Sequence, residues 1–338
     1  MNLTRRQLLS VLTAGSAAAV ASCTFEPAPP QPAPSATSPR PRPPHPNGPE
    51  SGTPPSPLSA AASRWQPTPG EVRPEVKRTA AAFLETAGNW SDGDTAAGAL
   101  VRAGAPPAVA STASILHQPA DRAGELTVLY PQYGGLAPDT AAVIVLVEQK
   151  LDTVSGPWDR ELVVDVRLAR PPGGDWAVER LVAPTSLGPT LPLTDTAAAV
   201  LAEPRIILPG PARDDVSTGR IDNQLLAILL ALSREFTMAI QVIHTGHVQT
   251  VYPTPRVSNH AVGRAVDIRE IDGRPVVETR PDDDRMLRLM RRAAELGATE
   301  VGGPVDLNGP RKGFFSDDVH QDHLHLGITP GDPPAHLR

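Results

Sequence analysis

The chain has 338 residues, a net charge of −6 and a charged fraction of 20 %. Because there is no basic excess to contact a phosphate backbone, we expect no nucleic-acid partner. A hydrophobic fraction of 40 % is enough for a packed core, so the chain is not disordered along its whole length. The single cysteine excludes an intramolecular disulfide and any cysteine-based zinc finger.

The first 23 residues have the organisation of an export signal. Arg5 and Arg6 precede an apolar run from Leu8 to Val20, which is shorter than the roughly 20 residues of a spanning helix. The segment Thr-Arg-Arg-Gln-Leu-Leu resembles a twin-arginine export signal, and Val-Ala-Ser-Cys, ending at Cys23, resembles a bacterial lipobox. The resemblance implies that Cys23 is lipidated and anchors the protein at the extracytoplasmic face of the bacterial cell membrane. An ordinary signal peptide with a chance cysteine is the alternative.

Residues 24–60 are mostly proline, serine, alanine and arginine. Proline fixes φ and lacks an N–H, so this segment favours an extended polyproline conformation and cannot build a core. We therefore expect a disordered stalk that holds the folded part away from the membrane. A docking site for a proline-binding module is the alternative.

Residues 61–190 are expected to form a small α+β domain. The spacing of apolar residues predicts a helix over 74–86, and a second helix is expected over 92–102 with Ser91 as its amino-terminal cap. Turns rich in proline and glycine separate three runs that are typical of strands in an antiparallel meander. These runs cover residues 140–154, 160–169 and 175–182.

This order of helices and strands is similar to the NTF2-like and cystatin-like folds. The region contains no catalytic constellation in its sequence, so a spacer or binding domain is the expectation. Binding of a small apolar ligand beside Trp90 or Trp176 is an alternative role for this domain.

Residues 191–338 carry the candidate chemistry, because six of the nine histidines lie between His244 and His325. Strand alternation predicts that His323 and His325 share one face, and that Asp267 points away from the apolar face of its own strand. His260 precedes that strand in a loop. One loop histidine, one strand aspartate and one histidine of a second strand can converge on one ion, and such ligation suits catalytic zinc. An ion-paired cluster without metal is the alternative.

The spacing of these residues carries a family resemblance. The pattern reads Ser258-x-His260-x-x-Gly263-Arg264-Ala265-x-Asp267-Ile268, followed by His320-x-x-His323-x-His325. It resembles the LAS-type zinc peptidases, which include D-Ala-D-Ala carboxypeptidases, penicillin-insensitive murein endopeptidases and the amino-terminal domain of hedgehog proteins. The resemblance covers roughly residues 222–329 and implies an α+β domain with an antiparallel sheet and flanking helices.

The resemblance also implies roles for individual residues. It implies one zinc ion held by His260, Asp267 and His325. The spacing of the last three histidines is most similar to that of the murein endopeptidases. By that analogy, His323 and His320 polarise the attacking water or stabilise the transition state.

The chain departs from this family at two places. Carboxypeptidase-like relatives have a glutamate three residues before the last zinc-binding histidine, where this chain has Asp322. Asp322 is expected to face the core side or the strand edge, so we favour His323 as the general base. Relatives often have Ser-Gly-Tyr-Arg after the first strand, where this chain has Thr-Gly-His-Val, so His247 or Arg264 is expected to bind substrate instead.

The sequence therefore predicts an exported, lipid-anchored zinc peptidase that acts on peptidoglycan stem or cross-bridge peptides, as a D,D-carboxypeptidase or a murein endopeptidase. The alternative is a noncatalytic zinc-containing lipoprotein that binds peptidoglycan or a partner protein. The missing arginine and glutamate favour the alternative, whereas the complete ligand set with His320 and His323 favours the enzyme.

Overall fold

A computed structural model describes residues 65–91, 93–118 and 121–336 of the protein. The predicted export signal with Arg5 and Arg6, the lipidation site Cys23 and the proline-rich stalk lie outside the described residues.

The described part opens with short helices that are fixed by local sequence. Helix α1 has proline in its first turn, where no hydrogen-bond donor is needed, and buries Val76, Ala80 and Leu84. Helix α2 is shorter than expected because Thr95, rather than Ser91, accepts the capping hydrogen bond from the backbone N–H of Gly98. These helices are α1 (Pro74–Ala87), α2 (Ala96–Arg102) and α3 (Pro107–Ala110), followed by a 3₁₀ turn at Ala113–Ile115.

An antiparallel meander of four strands follows, in the order β1-β2-β3-β4. The strands are β1 (Ala123–Leu136), β2 (Thr140–Thr153), β3 (Gly156–Ala169) and β4 (Ala177–Val182). Three of them lie where strand-like runs predicted them. The sequence pattern missed β1, because Pro131 and three glycines argue against a strand, and the register shifts twice along it. As an edge strand, β1 tolerates these residues.

Strand β2 is buried on both faces, which explains its nearly continuous apolar run. One face of the meander packs against α1 and encloses a core that includes Leu84, Val145 and Trp176. On the other face, Ile144 and Leu146 pack with Val242 and Val248 of the carboxy-terminal half. The meander is therefore covered on both sides.

The carboxy-terminal half forms a second sheet, in the order β10-β9-β11-β7-β6-β5 with β8 paired to β7. Its strands are β5 (Ile206–Ile207), β6 (Met238–Val242), β7 (Ala265–Ile271), β8 (Arg274–Pro275), β9 (Glu300–Gly302), β10 (Phe314–Phe315) and β11 (Leu324–Gly327). The central pairs are antiparallel, as expected, but β5 pairs with β6 and β9 with β10 in parallel. The sheet is therefore mixed, and the whole is an α+β fold.

Helices cover one face of this second sheet. They are α4 (Asp195–Ala202), α5 (Gly210–Ser217), α6 (Asn223–Ser233) and α7 (Asp284–Glu295). The side chains of Asp222 and Asp283 cap α6 and α7 by accepting backbone N–H groups of the first turn. Helix α7 ends just before Gly297, whose φ of 107° lies in the left-handed region that glycine favours. These helices bury Leu229 and Leu289 in the core against the sheet.

Strand β4 ends at Val182 and α4 begins at Asp195, so each sheet lies on its own side of residue 190. Residues 65–336 nevertheless belong to one compact unit. No helix among the residues that the structure describes is long and apolar enough to cross a membrane.

Candidate functional site

Strand register brings two predicted site residues face to face. In the antiparallel pair β7–β11, His325 lies directly opposite Asp267. Their neighbours Val266, Leu324 and Leu326 are fully buried in the core behind them. Nδ1 of His325 lies 3.0 Å from Oδ1 of Asp267. Alternation along both strands therefore presents an imidazole and a carboxylate on the face opposite the apolar core.

His260 completes a triangle of donor atoms. It lies in a 3₁₀ turn (His260–Val262) that ends at Gly263, whose φ of 69° lets the chain turn directly into β7. Its Nε2 atom is 3.1 Å from Oδ1 of Asp267 and 3.2 Å from Nδ1 of His325. A tetrahedral ion bound at about 2.1 Å has neighbouring ligand atoms about 3.4 Å apart, so this triangle has the size that one ion requires.

Each of these three side chains is oriented by a second contact. Nδ1 of His260 donates to the carbonyl oxygen of Ile243 at 2.6 Å, which leaves the lone pair of Nε2 free. Oδ2 of Asp267 accepts from the amide of Gln132 at 2.6 Å, and Nε2 of His325 faces Glu300 at 3.6 Å. Such partners fix ring and carboxylate orientation in metal sites.

His247 is a fourth donor beside this triangle. His247, His260 and Asp267 form a buried group that could hold a metal ion. Nε2 of His247 lies 3.5 Å from Oδ2 of Asp267, and its ring stacks on that of His260 with an angle of only 21° between the planes. The rings of His260 and His325 meet at 61°. Because imidazole lone pairs lie in the ring plane, His260 and His325 converge on one ion better than the stacked pair.

Burial and charge set the protonation of the site in the absence of metal. Burial acts to raise the pKa of Asp267, but the neighbouring His260 and His323 outweigh it and hold that pKa well below its usual range. Burial acts to lower the pKa of His325, but Asp267 and Glu300 outweigh it and raise that pKa to about 9. Burial, reinforced by His260, holds the pKa of His247 well below its usual value. A metal ion that bound His325 would have to displace a proton from it.

His323 lies next to the triangle, and Asp322 lies behind it. Nε2 of His323 is 3.7 Å from Oδ1 of Asp267, whereas Nδ1 contacts Oδ1 of Asp322 at 2.5 Å. Asp322 is buried and lies 2.5 Å from the ammonium of Lys77 in α1. Its carboxylate therefore contacts both the imidazole of His323 and the ammonium of Lys77.

His320 is close to the same group. Its ring centroid lies 5.0 Å from that of His323 and 5.8 Å from that of His325. Nδ1 contacts Oδ1 of Asp317 at 2.7 Å. Burial lowers the pKa of His320, although Asp317 opposes this shift. The ring of Phe315 packs nearly perpendicular to that of His320, with the two ring centroids 4.7 Å apart.

The cluster opens into a cavity of about 580 Å³. Tyr133 and Gly134 of β1 line one wall, and the loop before β11 lines another, so both sheets contribute to it. The cavity is also lined by three basic residues, namely Arg256, Arg311 and Lys312. These three side chains are exposed, but Arg256 pairs with Glu300, and the exposed Asp317 and Asp332 line the same cavity, so its lining carries charges of both signs.

The structure thus brings six of the predicted site residues together, and these are His247, His260, Asp267, His320, His323 and His325. Arg264, which was expected to bind substrate, is not among the described residues that line the cavity. It lies just before β7, where its backbone pairs with Asn259 and Ile328. Of the two expected substrate-binding residues, only His247 lines the cavity.

Sequence reasoning missed the contributors from the amino-terminal half. Gln132 and Lys77 lie in segments without any recognisable motif, far from the histidines in the chain. The sequence did contain one indication of this contact. Lys77 lies on the apolar side of α1 with Ala81 and Leu84, and a charged residue in that position needs a buried partner. Which partner it has depends on tertiary packing.

No protein-family model matches the chain, and comparison with curated proteins and with solved structures found no significant match.

Proposed function

We propose that this chain is a zinc-dependent peptidase that hydrolyses peptides of the bacterial cell wall and is held at the outer face of the cell membrane by a lipid on Cys23. One observation carries the proposal. His260, Asp267 and His325 place three donor atoms 3.0–3.2 Å apart, and a second contact orients each side chain.

The donor set fits zinc. Two imidazole nitrogens and one carboxylate oxygen, with a cavity beside them, are typical of catalytic zinc sites that keep an open position. Zinc bound there supplies Lewis-acid polarisation of a carbonyl group and lowers the pKa of water toward about 7. His247 lines the same cavity and is placed to contact substrate.

His323 is the proposed general base. Asp322 accepts the Nδ1 proton of His323, which leaves the Nε2 lone pair on the side of the ring near Asp267. That nitrogen can accept a proton from the attacking water and return it to the leaving amine. The carboxylates of Asp322, Glu300 and Asp317 are each engaged by a basic side chain, so an imidazole is the better candidate.

His320 has a different proposed role. Burial keeps this imidazole neutral near pH 7, and the ionised Asp317 accepts its Nδ1 proton. The remaining Nε2 atom is therefore a hydrogen-bond acceptor. It suits orientation of the attacking water or of a substrate N–H group better than stabilisation of an oxyanion.

Two features favour cell-wall peptides as the substrate. The sequence signals at Arg5, Arg6 and Cys23 predict export and anchoring on the side of the membrane that faces peptidoglycan. The cavity is lined by basic residues such as Arg311 and by acidic residues such as Asp332, which suits peptides that carry both free carboxylates and free amino groups. Peptidoglycan stem and cross-bridge peptides have this chemistry.

Digestion of purified peptidoglycan, followed by mass spectrometry of the released fragments, tests the proposal. The zinc-loaded protein is expected to release new peptide fragments, and His323→Ala is expected to keep its zinc but release none. His117→Ala is a matched control, because this buried histidine packs against Trp90, away from the cavity. Zinc binding without cleavage of stem or cross-bridge peptides would instead support a binding lipoprotein, and absence of zinc would reject both.

A further inference from the structure

A lysine of α1 is completely buried beside the proposed active site. The ammonium of Lys77 forms ion pairs with Glu71 and with Asp322, the latter at 2.5 Å. It also lies 3.3 Å from the hydroxyl of Tyr130 and 5.0 Å from the ring of Tyr133. A buried ammonium is costly unless it is paired, so its position here is closely determined by its two carboxylate partners.

The two oxygens of Asp322 have different partners. Oδ2 contacts Lys77 and accepts the backbone N–H of Tyr133 at 3.2 Å. Oδ1 contacts Nδ1 of His323 at 2.5 Å. Nε2 of His323 lies 3.7 Å from Oδ1 of Asp267. Polar contacts therefore run without a break from Lys77 in α1, through Asp322 and His323, to the proposed zinc ligand Asp267.

We propose that Lys77 is a positioning residue for His323. It holds Asp322 in place as an anion, so that Asp322 accepts the Nδ1 proton of His323 and leaves the Nε2 lone pair for chemistry. The inference rests on the proposed function, since the role of His323 in hydrolysis belongs to that proposal. It makes the amino-terminal half part of the active site rather than a spacer.

The charge of Lys77 determines whether Asp322 is ionised, and the ionisation of Asp322 determines which nitrogen of His323 carries the proton. A buried carboxyl group that loses its cation tends to become protonated, and a protonated carboxyl group can donate as well as accept. If Asp322 donated to Nδ1 of His323, the imidazole proton would move to Nε2, and the general base would be lost. Lys77 excludes this arrangement because it favours the anion.

The first test measures the tautomer of His323 directly. Long-range ¹H–¹⁵N correlation spectra of the full chain, without metal and with zinc, should show His323 with its proton on Nδ1. In Lys77→Met this preference should be lost, and in Arg160→Met it should remain, since Arg160 bonds to Gln149 and to the carbonyl groups of Ile115 and Leu116, away from Asp322. An unchanged tautomer in Lys77→Met would overturn the proposal, whether or not the protein is a peptidase.

The second test measures hydrolysis of muropeptides. Lys77→Met should lower kcat by about 10- to 100-fold, in the range found for partners that orient catalytic groups, with KM and zinc content within about twofold of the parent. The control Arg160→Met should keep kcat within about twofold. Equal losses in the two variants would indicate a general packing effect and overturn the assignment.

A further variant covers the case in which Lys77→Met does not fold. Asp322→Asn retains Lys77 and should reproduce both the tautomer change and the loss in kcat. Where both single variants fold, the double variant should lose no more than the larger single loss, because both act through the same contact. If the loss in kcat of the double variant equals the sum of the two single losses, Lys77 does not act on His323 through its contact with Asp322. If the parent chain cleaves no peptide, the proposed function fails while the tautomer measurement still decides the role of Lys77.

Discussion

Gln132 of β1 donates a hydrogen bond of 2.6 Å to Oδ2 of Asp267 in β7, across 135 residues of the chain. Both side chains are completely buried. The contact occupies one carboxylate oxygen and turns the other toward His260 and His325. The two sheets therefore share one polar site.

Replacement of Gln132 by leucine should weaken metal binding. The variant keeps the size of the side chain but removes the donor that orients Asp267, and loss of such partners typically lowers metal affinity by about 10- to 100-fold. Competition with a chromogenic zinc chelator measures the change. Gln241→Leu is the matched control, because this buried amide bonds to carbonyl groups of Tyr130 and Ile144, and its variant should keep the parent affinity. Equal affinity in both variants would contradict a role for Gln132.

Replacement of Asp267 by alanine should remove the metal. The substitution deletes one ligand and leaves His260 and His325 without the anion between them, so we expect less than about a tenth of the parent zinc content after dialysis. Elemental analysis by mass spectrometry measures it. Asp165→Asn is the control, since Asp165 is equally buried but pairs with Arg167 in the meander. Parent-like zinc content in Asp267→Ala would rule out this ligand.

Gly246 should tolerate no side chain. It lies in the turn between β6 and His247 with a φ of 87°, and an added Cβ would overlap the carbonyl oxygen of Val163 in the meander. Gly273→Ala is the control, because its φ of 77° carries the same conformational cost of about 1–2 kcal/mol but its Cβ meets no neighbour. Urea unfolding should show a clearly larger loss of stability for Gly246→Ala. Equal losses of stability in the two variants would show that the contact between Gly246 and Val163 does not restrict the side chain at this turn.

Asp317 should contribute stability that depends on pH. Burial acts to raise its pKa, but His320 and two backbone N–H groups outweigh it and lower that pKa from 3.8 to about 2. Because the folded state favours the ionised form, the contribution is complete above pH 3.8 and is lost as pH falls through 2. It amounts to about 1 kcal/mol or less, since the side chain is 53 % exposed.

Urea unfolding of the metal-free protein and of Asp317→Asn, at pH values from 2 to 6, tests this expectation. The difference in unfolding free energy between the two should shrink toward zero as pH falls from 3.8 to 2. If the difference in unfolding free energy does not vary with pH, ionisation of Asp317 does not contribute to stability.

Only part of the secondary structure could be predicted from local patterns. Helix α1 and strand β2 follow from apolar periodicity and from an unbroken apolar run, and β7 and β11 follow from alternation. Strand β1 could not be predicted in this way, since Pro131 breaks the pattern and its pairing with β2 holds it in place. The expected cap at Ser91 was wrong because Thr95 also offers an oxygen, three residues before Gly98.

The candidate site also has residues that the sequence could predict and residues that it could not. The spacing around His260, Asp267 and His325 was sufficient to predict that these side chains lie together, because each lies in or beside a strand whose alternation decides where it points. The group that could hold a metal ion also includes His247, which the sequence assigned to substrate binding. The peptidase function remains a proposal on that basis. Lys77, Gln132 and the true environment of Asp322 were decided only by the packing of the meander against the second sheet. Apolar burial that drives this packing is non-directional, so no local pattern specifies which polar groups it brings together.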